Sequence, residues 1–143
     1  MATCHEILGS VTLKHRFEVD FDDLVCILSS AIPAINYWGA ILDPSDVAYA
    51  EAKKSLASRP QFSKEPYLCY EEVLVEGLIK GIFTLDVWDR EDDRYFQLTL
   101  ADIIKGISLY CNDDLFIFNV DEIDGCVADC MIQCACFEEV IYG

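Results

Sequence analysis

The charge of this chain is divided unevenly along its length, and that division constrains how the chain can fold. Residues 1 to 64 carry 8 acidic and 6 basic side chains, whereas residues 65 to 143 carry 18 acidic and 4 basic ones. No Lys or Arg follows Lys105. The second half must therefore fold so that most of its carboxylates reach water, because an unpaired charge in an apolar interior costs far more than burial returns. The formal net charge is −16. A compact body with one nearly neutral half and one strongly anionic half repels nucleic acid and anionic membrane, and attracts basic surfaces.

Hydrophobic residues make up 53% of the chain, with 8 Phe, 7 Tyr and 2 Trp, and the mean hydropathy is +0.25. Disordered acidic tails are poor in such residues, so the acid here is mounted on a folded body. Its 143 residues suit one domain spanning 1–143. No window reaches the ~18 uninterrupted apolar residues of a membrane span. Residues 1 to 16 lack the basic start and long apolar stretch of a signal peptide, so the cytoplasm is the expected compartment. The eight cysteines are then expected to be reduced and packed as small hydrophobes.

Residues 6 to 19 alternate apolar and polar side chains, which suits a half-buried strand. Asp20 is placed to cap a helix that carries Leu24, Val25, Ile27, Leu28 and Ile32 and is ended or bent by Pro33. Asn36 to Gly39 form an aromatic turn, and Asp43-Pro44-Ser45-Asp46 starts a second helix. Residues 70 to 80 predict a third helix capped by Gly81. Residues 82 to 88 and 95 to 98 predict two strands joined by the charged loop from Asp89 to Arg94. Thr99 caps a helix with Leu100, Ile103, Ile104 and Ile107 on one stripe, weakened by Gly106. Asp121 is expected to open the last helix, with Ile123, Val127, Met131 and Cys134 on one side. The sum is an α+β fold: a small antiparallel sheet of about three strands packed against four or five helices.

Three stretches together carry a resemblance. They are Ala34 to Trp38, Gln97 to Ile107, and the tail from Ala128-Asp129 through Phe137-Glu138-Glu139-Val140-Ile141-Tyr142-Gly143. The chain resembles a family of small acidic proteins encoded by phages and prophages of gut Firmicutes, with Glu138 standing where that family's tail carries Gly. The resemblance implies no catalytic residue. It implies a setting in which small acidic proteins inhibit host defence, including anti-CRISPR proteins that imitate nucleic acid.

Two acidic clusters are the candidate partner-binding surface. The first contains Glu71, Glu72, Glu76, Asp89, Glu91, Asp92 and Asp93, and the second Asp113, Asp114, Asp121, Glu122 and Asp124. Duplex DNA presents one negative charge per ~1.7 Å of axis, and a carboxylate-covered face offers a Lys/Arg-lined groove a comparable field. The expected partner is a basic nucleic-acid-binding protein of the host, a CRISPR effector among them, with no direct contact to nucleic acid or membrane. Simple solvation of the same acids is the competing reading. A structural or accessory phage protein, self-assembling through its last helix and the patch Leu115 to Phe118, is the alternative function, and that patch, if an exposed edge strand, makes a homodimer or an assembly partner the expectation.

No metal or other cofactor is expected. Asn112-Asp113-Asp114 and residues 121 to 125 do not fit calcium-loop spacing. Cys126, Cys130 and Cys134 climb successive turns of one helix and converge poorly on one ion. Cys4 and His5 point to opposite faces of a strand, and no phosphate-cradling loop, nucleophile elbow or zinc-peptidase helix is present. An enzyme is therefore not expected. Trp88 is expected in the core, and Tyr37 and Trp38 either in the core or at an interface.

Overall fold

A computed structural model describes residues 2–11, 17–113 and 119–143, with Phe17 and Asp113 described by their backbone alone. The chain opens with an antiparallel hairpin of β1 (Ile7–Val11) and β2 (Phe17–Asp20). The expected single strand is thus two, and Leu13 and His15 lie outside the described residues.

Helix α1 (Phe21–Ala34) follows without a break. The Asp20 carboxylate accepts from the Asp23 backbone N–H at 2.8 Å, and the Asp23 carboxylate accepts from the Asp20 N–H at 3.0 Å. This reciprocal capping box satisfies two of the donors a helix start leaves orphaned. Phe21, Leu24, Ile27, Leu28 and Ala31 are fully buried along one stripe. Each such large side chain contributes roughly 1.5–3 kcal/mol of burial. Pro33 sits one residue before the helix ends, and a single 3-10 turn (Ile35–Tyr37) then brings the chain to Trp38.

The short strand β3 (Gly39–Ile41), helix α2 (Asp46–Ala57) and helix α3 (Tyr70–Lys80) come next. Ser45 caps α2, accepting from the Ala48 N–H. Gly81 closes α3 in the left-handed conformation at φ +66°, which glycine adopts without steric cost. Strands β4 (Leu85–Asp89) and β5 (Arg94–Leu98) form the expected charged hairpin. Antiparallel β3 joins the far side of β4, giving a second sheet of order β3-β4-β5. Helix α4 (Leu100–Asp113) is opened by a Thr99/Asp102 capping box.

The last helix starts later than expected. Asp121 lies in a 3-10 turn (Val120–Glu122), and α5 (Gly125–Phe137) is capped instead by Asp124, which accepts from the Val127 N–H at 2.9 Å. The fold is α+β, with five helices among the described residues and two small antiparallel sheets instead of the one expected. None of its helices is long and apolar enough to cross a membrane, among the described residues.

Helix α5 is held between α1 and α4. Gly106 decides how close α4 comes. A Cβ placed there would sit 2.6 Å from both the Ala135 N and Cβ atoms. On an isolated helix alanine is favoured over glycine by about 1 kcal/mol. Here the steric term opposes that and is larger, since overpacking costs about 1–3 kcal/mol and the obstacle includes backbone. Gly106→Ala is therefore expected to destabilise the protein by about 1–2 kcal/mol, measured as a lowered urea midpoint at unchanged slope.

Candidate functional site

The twelve acids of the expected docking surface separate into three groups. Glu72, Glu76 and Asp89 are buried, so they are corrected from surface residues to internal ones. Helix α3 lies against both α1 and α2, which leaves almost no free side between Glu72 and Leu78. The Glu72 carboxylate accepts from the Cys69 N–H at 3.0 Å. The Glu76 carboxylate accepts from Ser55 Oγ at 2.7 Å and faces Arg59 Nη2 at 2.8 Å. Arg59 also pairs with Glu6. Asp114 and the Asp113 side chain lie outside the described residues.

The other seven reach the surface. Glu91, Asp92 and Asp93 are exposed at the tip of the β4–β5 hairpin, and Glu71 is half-buried on α3. Asp121, Glu122 and Asp124 are exposed ahead of α5. Arg94, at the hairpin, lies over the Phe137 ring at the other end of α5. The two exposed patches are therefore a helix apart, about 20 Å for thirteen residues. Exposed Glu138 and Glu139 follow Phe137 in the chain, and Glu138 lies 3.6 Å from Lys105 of α4.

The hairpin is fastened at its base by Asp89. Its carboxylate accepts from Arg94 Nη2 at 2.9 Å, from Arg94 Nε at 3.2 Å, from the Tyr142 hydroxyl at 2.9 Å and from the Glu91 N–H at 3.1 Å. Burial alone would raise its pKa. The Arg94 and Tyr142 hydrogen bonds, with backbone N–H groups of the loop, outweigh burial and hold it below the usual carboxylate value. Asp93 completes the tip in a left-handed conformation at φ +50° and accepts from Trp88 Nε1 at 3.1 Å.

Tyr142 belongs to the tail that follows α5, and a second carboxylate anchors that tail. Asp129, buried on α5, accepts from Trp38 Nε1 at 2.7 Å, from the Tyr37 hydroxyl at 2.5 Å and from Gln133 Nε2 at 3.0 Å. The amide oxygen of Gln133 in turn accepts from the Ile141 and Tyr142 N–H groups at 2.9 and 2.8 Å. The Tyr142 ring stacks on Trp38 at 5.5 Å, and Phe137 packs against both. Burial, then the bond to Asp129, keep the Tyr37 hydroxyl well above its usual pKa and therefore a donor. The aromatic turn and the tail, two of the stretches that carried the resemblance, thus meet in one structural knot. Trp38 is fully buried while Tyr37 is half exposed. Trp88 departs from the expected core position: it is only half-buried and stacks on exposed Tyr95 at 6.3 Å.

An open cleft of about 790 Å³ lies between the start of α5 and the tail, lined in part by Tyr37, Cys126, Asp129, Cys130 and Ile141. Its one buried acid, Asp129, is occupied by three donors. Cys126 is exposed at its rim. Three cysteines elsewhere are held above the usual thiol value by burial and by neighbouring carboxylates. Burial first, and Asp89 second, push the Cys136 thiol up to about 12. Burial followed by Asp23 and Asp22 raises Cys26, and burial followed by Glu72 raises Cys69. These three thiols are poor nucleophiles at neutral pH. Cys4 is buried, whereas His5 is exposed and bonded to Asp20. Among the described residues no three His, Cys, Asp or Glu side chains gather as a metal site.

The expected assembly face of α5 is used within the molecule, with Ala128, Met131, Ile132 and Cys134 buried. Leu115 to Phe118 lies outside the described residues. Sequence reasoning missed Asp129 and Gln133 as organisers, although a polar pair four residues apart on an apolar helix is itself a signal. Neither known protein families, nor curated proteins, nor solved structures give a match for this chain.

Two outcomes follow from the knot. Gln133→Leu keeps the volume but strips the Ile141 and Tyr142 N–H groups of their acceptor. It is expected to cost about 2–4 kcal/mol and to release the tail, seen as fast hydrogen exchange at those two amides. For Asp89, a depressed folded pKa means stability that is complete above the unfolded carboxylate value of 3.8 and lost as pH falls through the folded value. Arg94→Ala removes the cation that opposes burial, so its acid unfolding, followed by circular dichroism, is expected to begin at higher pH than in the parent.

Proposed function

We propose that this protein acts by binding and not by catalysis. It docks the acidic hairpin and tail on a basic, nucleic-acid-binding surface of another protein and keeps nucleic acid off it. The observation that carries this reading is how three of the four cations of the second half are spent, the fourth, Lys80, standing exposed at the end of α3. Arg90 donates to the Asn36 and Gly39 carbonyl oxygens. Arg94 is committed to buried Asp89, with Asp92 at 3.2 Å from the same Nη2. Lys105 lies 3.6 Å from Glu138. Glu91, Asp93 and Glu139 have no ion pair among the described residues and project into solvent.

Uncompensated exposed charge of one sign steers association with its complement and makes it salt-dependent. The resemblance to small acidic phage proteins supplies the kind of target: a defence protein of a bacterial host, such as a CRISPR effector. The field does not form one continuous duplex-like row, since the hairpin patch and the patch around Asp121, Glu122 and Asp124 are separated by the length of α5. The hairpin with Glu138 and Glu139 is the primary contact, and the second patch a subsidiary one.

The test compares the parent with Glu91→Lys/Asp92→Lys/Glu139→Lys, three exposed positions none of whose side chains donates to Asp89. Each is immobilised, exposed to bacterial lysate, and eluted with stepped salt and with competing duplex DNA. The expected result is a nucleic-acid-binding protein that salt or DNA releases from the parent and that the triple variant retains more than about tenfold less well. Equal retention of the same protein by both, at equal salt, removes the hairpin from the contact.

A further inference from the structure

Among the described residues β5 is the edge strand of its sheet, and the register identifies which of its atoms face outward. Between β3 and β4, the Arg90 N–H donates to the Trp38 oxygen at 2.9 Å and the Leu42 N–H to the Asp86 oxygen at 2.8 Å. With Ala40 opposite Trp88, these bonds fix which β4 residues face β3: Asp86, Trp88 and Arg90. The backbone groups of Leu85, Val87 and Asp89 therefore face β5, where they meet Leu98, Phe96 and Arg94. Tyr95 and Gln97 are left with N–H and C=O groups directed away from the sheet. Both residues are exposed.

The surroundings of that edge are chemically one-sided. On the outer face of the hairpin the exposed Tyr95 ring stacks with Trp88, and the Asp93 carboxylate touches the indole N–H. Asp86 shares this face, opposite Gln97. A guanidinium already lies on it, since Arg90 sits 5.7 Å from the Trp88 ring centroid, a cation–π geometry. At the hairpin tip stand Glu91 and Asp92.

We infer that β5 accepts an extended Lys- or Arg-bearing segment of a partner protein as an additional strand, paired through the Tyr95 and Gln97 backbone groups. This deepens the proposed acidic docking and rests on it. Main-chain bonds supply the register, and alternate side chains of the guest meet the Trp88–Tyr95 face and its carboxylates. The occupant is a basic segment and not a second copy, because two chains of net charge −16 would bring like-charged hairpins together along the same edge.

The probe is a capped decapeptide of alternating Lys and Val, followed by amide hydrogen exchange and by fluorescence titration of Trp88. Protection gained at the Tyr95 and Gln97 amides is the expected result. Gln97→Pro deletes an N–H that β4 does not use, at an edge where proline is tolerated, and is expected to weaken binding about five- to tenfold. Two N-methylated peptides, one modified at every Lys and the other at every Val, test the same bond without altering the protein. One set faces β5 and the other faces away, so one peptide is expected to bind as the parent does and the other to fail. Equal binding of both peptides, with affinity still lost on Glu91→Lys/Asp92→Lys, overturns strand addition and leaves acidic docking standing. Binding lost in Gln97→Pro but indifferent to salt and to the charge reversal retains the edge and overturns acidic docking. A dimer of the parent that Gln97→Pro dissociates overturns the basic guest in favour of a second copy.

Discussion

The architecture around the acidic hairpin depends on a carboxylate with no exposed surface. Asp89 sits at the end of β4, and three separate parts of the chain meet at it: Arg94 from the return strand, the hairpin loop backbone and Tyr142 from the tail. A buried carboxylate left alone would unfold its surroundings or become protonated. Its four donors convert that liability into a fastening, because each of them is held where the carboxylate needs it. The tail is fixed by the same logic at Asp129 and Gln133, which satisfy the indole of Trp38 and the backbone of Ile141 and Tyr142. Removing one donor from either node leaves part of the carboxylate's desolvation cost unmet.

This arrangement divides the acids by task. Glu72, Glu76, Asp89 and Asp129 work inward, each against named donors. Glu91, Asp92, Asp93, Glu138 and Glu139 work outward. The inward group also consumes cations, since Arg59 is drawn to Glu76 and Arg94 to Asp89. These pairings take four carboxylates and at most two cations off the exterior, which remains anionic because the chain carries 26 acids against 10 Lys and Arg.

The parts of the fold that were legible in the sequence are those set by local chemistry. Asp20 and Ser45 begin helices, Gly81 ends one, and the run from Asp89 to Arg94 turns a hairpin, each for reasons confined to a few residues. What was not legible depends on contacts between distant segments. β3 is three residues long and exists because β4 pairs with it. Glu72 and Glu76 read as solvated because nothing local says that α3 lies against two helices. Gly106 reads as a weakness in α4, whereas it is what admits α5. Asp89 and Trp88 were within reach: period-two alternation from Leu85 places Val87 and Asp89 on the inner face and Trp88 on the outer. The charge of one and the size of the other pointed the opposite way, and the strand geometry prevailed.

Charge and edge reinforce one another in the hairpin. An unpaired strand edge is ordinarily a hazard, since it templates pairing with further copies of the same chain. Here Glu91, Asp92 and Asp93 stand exposed at the hairpin tip, immediately before the strand that carries the edge. Their field opposes approach of another anionic chain, and the shortness of β5, with two outward-facing residues, limits what self-pairing could gain. The same field favours a cationic chain at the same place. An edge that is closed to copies of itself by charge is open to a basic guest by the same charge, so the acidity that makes the exposed strand tolerable also selects what can occupy it.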